Sequence, residues 1–181
     1  MRVIKTEIPG VVMLEPRVCG DERGYFYESY NKALFAEQGI PLEFVQDNHV
    51  SSARGIIRGL HYQKDPMAQA KLVRVVRGAI FDVAVDIRKG SPTFGQYAAA
   101  TLSAENRRMI FVPAGFAHGY CSLEDNSEVL YKVSGLYSPL DEAGIIWNDP
   151  EVGIQWPKLN VDYKLSPKDL ALPQLRELET V

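Results

Sequence analysis

Cysteine is scarce in this chain. Cys19 and Cys121 are the only two, and their separation fits neither a zinc site nor a redox pair. Free thiols in a reducing cytoplasm are the expectation. Long apolar runs are absent: nothing approaches the ~20 residues of a membrane span, and the opening MRVIKTEIPG holds no signal-peptide apolar stretch. Positive charge is not in excess either. The formal net charge is −3, so neither nucleic acid nor a membrane is an expected partner, although a local basic pocket for a small anion is compatible with that figure. No repeat, low-complexity tract or linker interrupts the 181 residues, and residues 1–181 read as one domain with a real core. Histidine is limited to His49, His61 and His118.

Glycines and prolines are spread in short turns, the pattern of a chain of many short strands. VVMLEPRV (11–18) reads as a first strand. Ser29 or Asn31 caps a short helix over 32–38, which Gly39 and Pro41 stop. LEFVQDNHVS and GIIRGLHYQ read as strands. AKLVRVVRGAIFDVAVDI (70–87) reads as a hairpin turning on Arg77-Gly78. That register pairs Val73 with Asp82 and puts Asp82 and Asp86 diagonal to Lys71. RRMIFVPAG, FAHGYCSL and SEVLYKVSGLYS supply further strands. SPKDLAL begins a short helix with Ser166 as N-cap, Pro167 at N1 and Asp169 at N3. The class is mainly β with a few short helices, arranged as a β-sandwich or jelly-roll barrel.

Within IIRGLHYQ (56–63), Arg58 and His61 stand three apart, which in a regular strand sends them to opposite faces. Gly59 between them marks a bulge that turns both toward one cavity. His61 suits a general base near neutrality; the alternative is a satisfied structural histidine. Lys71 suits an oxyanion stabiliser held charged by its aspartates; the alternative is a rim lysine in a weak surface pair. Tyr131 shares a strand face with Val129 and Val133, so its ring is internal and its hydroxyl either lines a cavity or finds a partner. Asp169 fits a capping role and, equally, a carboxylate that orients an imidazole. Arg23, Arg58 and Lys168 together suit a diphosphate, though each taken singly reads as a solvated charge. Tyr137, Trp147 and Trp156 are candidates for stacking on a base, with core packing as the alternative.

PAGFAH (113–118) resembles the second motif of the cupin superfamily, in which the histidine often binds a metal. Metal cupins also need an H-x-H pair and a glutamate upstream, and here that stretch reads HYQKD. His61 and His118 lack an obvious third ligand, so no metal is expected. DERGYFYES, FVQDNHVSS, GIIRGLHYQ, AKLVRVVRGAIFDVAVDIRKGSPTFG, FVPAGFAHGY, YKVSGLYSP, GIIWNDPEVGIQWP and SPKD, in that order, closely resemble the dTDP-4-dehydrorhamnose 3,5-epimerase family over about residues 3–175. The resemblance implies a cupin-type jelly roll, a homodimer, no metal, no organic cofactor and a dTDP-4-keto-6-deoxyhexose substrate.

Residue by residue, it makes His61 the base, Asp169 its partner, Lys71 the group near the 4-keto oxygen and Tyr131 the proton donor. Arg23, Glu28, Gln46, Asn48, Arg58, His118, Glu142 and Lys168 match positions that contact the nucleotide sugar, and Tyr137 matches an aromatic that stacks on thymine. Cys19 stands where many relatives carry a bulkier residue, and Tyr120 replaces the phenylalanine common in H-G-F. Other readings are an epimerase acting at C3 or C5 only, a non-catalytic nucleotide-sugar-binding cupin, and a metal-dependent cupin oxygenase, against which the missing H-x-H argues.

Overall fold

Short alternating segments fold into two facing sheets in the computed structural model, which describes residues 1–178. A hairpin of β1 (Arg2–Lys5) and β2 (Val12–Glu15) comes first. An exposed two-stranded ribbon follows, β3 (Cys19–Asp21) and β4 (Gly24–Phe26). Helix α1 (Lys32–Glu37) starts at Asn31, whose side chain accepts from the amides of Ala33 and Leu34. The remaining strands are β5 (Gln46–Ser52), β6 (Ile57–Gln63), β7 (Lys71–Arg77), β8 (Ala79–Asp86), β9 (Tyr97–Ser103), β10 (Met109–Val112), β11 (Phe116–Ser122), β12 (Ser127–Val133) and β13 (Glu142–Gly144). Helix α2 (Pro167–Leu170) begins at Ser166, whose hydroxyl accepts from the Asp169 amide.

One sheet runs β1-β2-β10-β7-β12-β5 and the other β13-β6-β11-β8-β9. Neighbouring strands within them are antiparallel. This is the mainly β, cupin-type jelly roll that the motifs imply. Between the sheets lies a core that includes Val73, Val75, Ile80, Leu102, Ile110 and Val129, all buried. The outer face of the first sheet is covered by α1, whose Phe35 is fully buried against Leu14, Leu72 and Met109. Burying a side chain of that size contributes about 1.5–3 kcal/mol. The outer face of the second sheet is covered by the chain after β13, through Ile145, Val152 and Leu175. Cys19 is exposed and Cys121 buried, and both are free. Among the described residues no helix is long and apolar enough to cross a membrane.

The hairpin expected over 70–87 does not form. β7 pairs with β10 and β12, whereas β8 pairs with β11 and β9. Gly78, at φ +70°, carries the chain from one sheet to the other. Alternation is the reason for the misreading. Val73 and Val75 of β7 and Ile80 and Ala84 of β8 share one core, and two strands facing across a core show the same pattern as two strands side by side. β9 also escapes the sequence reading, because its run of alanines carries little strand preference.

The bulge at Gly59 does form. Across β6 and β11, His61 pairs with His118 and Arg58 with Tyr120, so Gly59 and Leu60 face the single residue Gly119. Gly59 has φ +117°, and a Cβ there would stand 2.6 Å from Gly119 Cα. A side chain at this position meets both a disfavoured backbone conformation and a backbone contact that cannot give way. Gly59→Ala is expected to cost at least about 2 kcal/mol of stability, read as a lower urea midpoint at unchanged m-value.

Candidate active site

Where β5, β12 and β7 face β13, β6 and β11, the space between the sheets opens instead of filling. Two adjoining cavities of about 510 Å³ and 240 Å³ lie there, and His61, Lys71 and Tyr131 line both. The larger continues past Arg58, His118, Tyr120, Lys168 and Asp169. The smaller continues past Gln46, Asn48, Tyr137 and Glu142. The bulge explains why Arg58 and His61 share the cleft despite a spacing of three.

His61 Nε2 lies 2.7 Å from Oδ1 of Asp169. A carboxylate accepts, so Nε2 carries the proton and Nδ1 keeps its lone pair. Asp169 is buried; its amide is capped by Ser166 while its carboxylate holds the imidazole, so the residue serves the helix with one group and the histidine with the other. Burial holds the His61 pKa below the ordinary imidazole value, with Asp169 partly offsetting it. The ring is therefore neutral at physiological pH, the state a base needs.

Lys71 Nζ donates to the His61 carbonyl oxygen at 3.1 Å. Burial pushes its ammonium down to about 8, while Asp82 and Glu142 oppose that shift. Asp82 therefore acts on Lys71 from the facing sheet and not along a hairpin. Asp86 takes no such part: its carboxylate accepts from Arg88, Ser91 and Thr93.

Tyr131 rises from β12 on the wall facing His61. Burial raises its phenol pKa and Arg58 opposes that rise, so the group stays protonated and can donate. His118 is buried, with Nε2 at 3.0 Å from both oxygens of Asp82. Arg58 donates from Nε to Ser52 Oγ at 3.0 Å. Glu142 accepts from the Tyr137 hydroxyl at 2.6 Å and pairs with Lys168. Burial would raise the Glu142 pKa, but these two partners outweigh it and hold the carboxyl below its usual range. Asn48 Oδ1 accepts from the Gln46 amide.

Two expected contacts stand elsewhere. Arg23 lies on the exposed β3–β4 ribbon, paired with Asp21, and Glu28 accepts from Asn31 beside α1. Trp147 and Trp156 pack on each other outside the cleft, Trp156 also against Phe81, so they are packing residues and not part of this site. Lys164 lines the larger cavity without having been anticipated. It sits in an irregular segment that bridges to Ile56, where no periodicity signals it. Among the described residues no three His, Cys, Asp or Glu side chains converge as a metal site.

Lys71 costs the fold stability. Below about pH 8 the folded and unfolded chains both carry its proton, and folding must bury the ammonium. Between pH 8 and the ordinary lysine value of 10.5 the folded chain sheds the proton while the unfolded chain keeps it, so stability from this site rises with pH. Lys71→Met is expected to raise Tm at pH 7 by ~2–5 °C, with the advantage shrinking as the pH of the calorimetric scan climbs from 8 to 10.

A family model described as dTDP-4-dehydrorhamnose 3,5-epimerase matches residues 5–177. The dTDP-4-dehydrorhamnose 3,5-epimerase of Shigella flexneri is 56% identical over 171 residues, covering 94% of this chain and 93% of that protein. The crystal structure of dTDP-6-deoxy-D-glucose-3,5-epimerase from Legionella pneumophila, in complex with dTDP-4-keto-L-rhamnose, superposes with a TM-score of 0.95 at 45% identity, covering 98% of this chain and 94% of that one. The Bacillus anthracis dTDP-4-dehydrorhamnose 3,5-epimerase, with TDP and PPi bound, gives a TM-score of 0.91 at 50% identity, covering 96% and 98%. Nearly the whole length of the chain and its whole architecture are shared with these enzymes, and it belongs to the dTDP-4-dehydrorhamnose 3,5-epimerase family.

Proposed function

We propose that this chain converts dTDP-4-dehydro-6-deoxy-D-glucose to dTDP-4-dehydro-L-rhamnose, inverting C3 and C5 through an enolate, as a step of dTDP-L-rhamnose biosynthesis. The observation that carries the reading is the pairing of two groups on opposite walls of one cleft. The imidazole of His61, held by Asp169, rises from β6; the protonated phenol of Tyr131 rises from β12. Inversion needs a base on one face of a carbon and an acid on the other, and a sugar ring lying between the sheets meets both.

C3 and C5 flank the C4 ketone, so their hydrogens are the acidic ones. His61 Nδ1 takes a proton, and the electron pair moves onto the C4 oxygen. Lys71, fixed at the His61 carbonyl, stabilises that oxyanion. Tyr131 returns a proton to C5 from the opposite face, and solvent water entering the cleft returns one to C3. Arg58 and Lys168 meet the diphosphate, and His118, Gln46, Asn48 and Glu142 position the nucleotide sugar. Tyr137, exposed at the mouth, stacks on thymine. None of these steps calls for a metal or an organic cofactor.

The enzyme works as a homodimer in the cytoplasm. The reading of Arg23 and Glu28 as substrate contacts supports the dimer, because both stand outside this chain's own cleft and a second copy is what brings such residues to it. Two free thiols support a reducing compartment.

Incubation with the 4-keto sugar nucleotide in D₂O, followed by NMR, is expected to show deuterium entering at both C3 and C5. His61→Ala should abolish exchange at both carbons, and Tyr131→Phe should slow C5 inversion by ~10²–10⁴ while C3 exchange persists. Exchange at one carbon alone selects a narrower epimerase, and none at all points to a binding protein. The pH profile follows from the same groups. His61 stays neutral below the ordinary 6.5 and Lys71 loses its proton near 8. A kcat/KM plateau is expected from below pH 6.5 to about pH 8, with the alkaline limb set by Lys71.

A further inference from the structure

Three glutamines line the smaller cavity: Gln46, Gln63 and Gln69. The epimerisation scheme leaves Gln63 and Gln69 without a task. Gln46 opens β5, Gln63 closes β6 and Gln69 stands two residues before β7, yet all three converge on residues 135–138, in the loop from β12 to β13. Gln69 Nε2 donates to the Gly135 carbonyl at 2.7 Å. Gln63 Nε2 donates to the Leu136 carbonyl at 3.1 Å, and its Oε1 accepts from the Ser138 amide at 2.8 Å. Gln46 Oε1 accepts from the Tyr137 amide at 3.1 Å. These four loop residues belong to no strand or helix. The glutamine amides, each donor and acceptor like a peptide group, take the place of a neighbouring strand. Gln63 is 6% exposed and also donates to the Met67 carbonyl at 2.6 Å, so its amide is buried with both ends bonded, the condition on which burial is tolerated.

The loop held in this way carries Tyr137, which is 53% exposed. An exposed aromatic on a loop ordinarily samples several positions, and a ligand that stacks on it must bear the cost of ordering it. Here the residue is tied at both ends. Gln46 takes its backbone amide, and its hydroxyl donates to Glu142 at 2.6 Å. Gln63 brackets it by binding the residue on either side. We infer that Gln63 and Gln69, together with Gln46, form a clamp that sets the Tyr137 ring in place for the thymine before the nucleotide sugar arrives. They are positioning residues for base recognition, and they act through Tyr137.

The inference rests on the stacking role given to Tyr137 in the proposed function, so Tyr137→Ala is measured first. Its Kd for dTDP by calorimetry is expected to weaken by roughly 5- to 150-fold, the range for loss of one base–aromatic stack. An unchanged Kd removes the stacking role itself, and the clamp with it. Gln63→Ala and Gln69→Ala then follow, each alone and in the Tyr137→Ala background. Gln69 makes a single bond of the clamp, so its variant stays measurable should Gln63→Ala fail to fold. In the parent background each is expected to weaken dTDP by roughly 2- to 12-fold, the cost of ordering one side chain on binding, with KM for the 4-keto sugar nucleotide raised to match and kcat within about twofold. In the Tyr137→Ala background the same substitutions should change the dTDP Kd by less than about twofold. An equal weakening in both backgrounds overturns the inference, because the glutamines then act on the ligand or on the whole fold and not through Tyr137. A dTDP Kd left unchanged by Gln69→Ala in the parent background overturns it by showing that the ring keeps its place unaided. A fall in kcat with KM unchanged overturns it by moving the effect to the chemistry at His61 and Tyr131.

Discussion

Gly59 and Gly119 lie back to back: an added Cβ on either would stand within 2.6 Å of the other strand's backbone. That contact holds the bulge in β6, and the bulge sets the direction of everything that follows it. Before it, Arg58 faces the cleft; after it, His61 faces the same cleft, paired with His118 of β11 and with Gly144 of β13. A regular strand would have turned one of the pair out of the cleft. His61 and Arg58 would then have stood on different surfaces of the strand.

The cleft sustains several charges that the barrel interior would otherwise reject. Lys71 enters it, and burial alone would strip its proton well below the ordinary range; the carboxylates of Asp82 and Glu142 limit that loss. His61 is balanced between burial, which keeps it neutral, and Asp169, which fixes its tautomer. Glu142 links Tyr137, Lys168 and, through space, Lys71 and His61. The site is thus one electrostatic unit in which each charge is set by a residue from another strand or helix. The net charge of −3 conceals this concentration of cations at the cleft.

Much of the site was legible because its residues sit on strands whose alternation is clean. Tyr131 between Val129 and Val133, and His118 two residues before Tyr120, follow the period of two directly. Gly59 was legible because glycine inside a strand has few other uses. The helix caps at Asn31 and Ser166 were legible because capping is local chemistry. Asp169 was legible as a cap and as a carboxylate able to orient an imidazole, but its partner came from the family resemblance: His61 lies 108 residues earlier in the chain, and no local pattern carries that information. Lys164, in an irregular segment, left no trace at all.

By itself, the amino-acid sequence determined the local properties of this protein: which stretches alternate, where the backbone must take a positive φ, which caps start the helices, and how few side chains can accept a proton near neutrality. The tertiary structure alone decided that β7 and β8 part company at Gly78, that Asp82 and not Asp86 reaches Lys71, and that the Asp169 carboxylate meets the His61 imidazole. The physical reason is that alternation reports which face of a strand is apolar, and that is the same whether the neighbour lies beside the strand in its sheet or opposite it across the core. Only the assembled pair of sheets chooses between them.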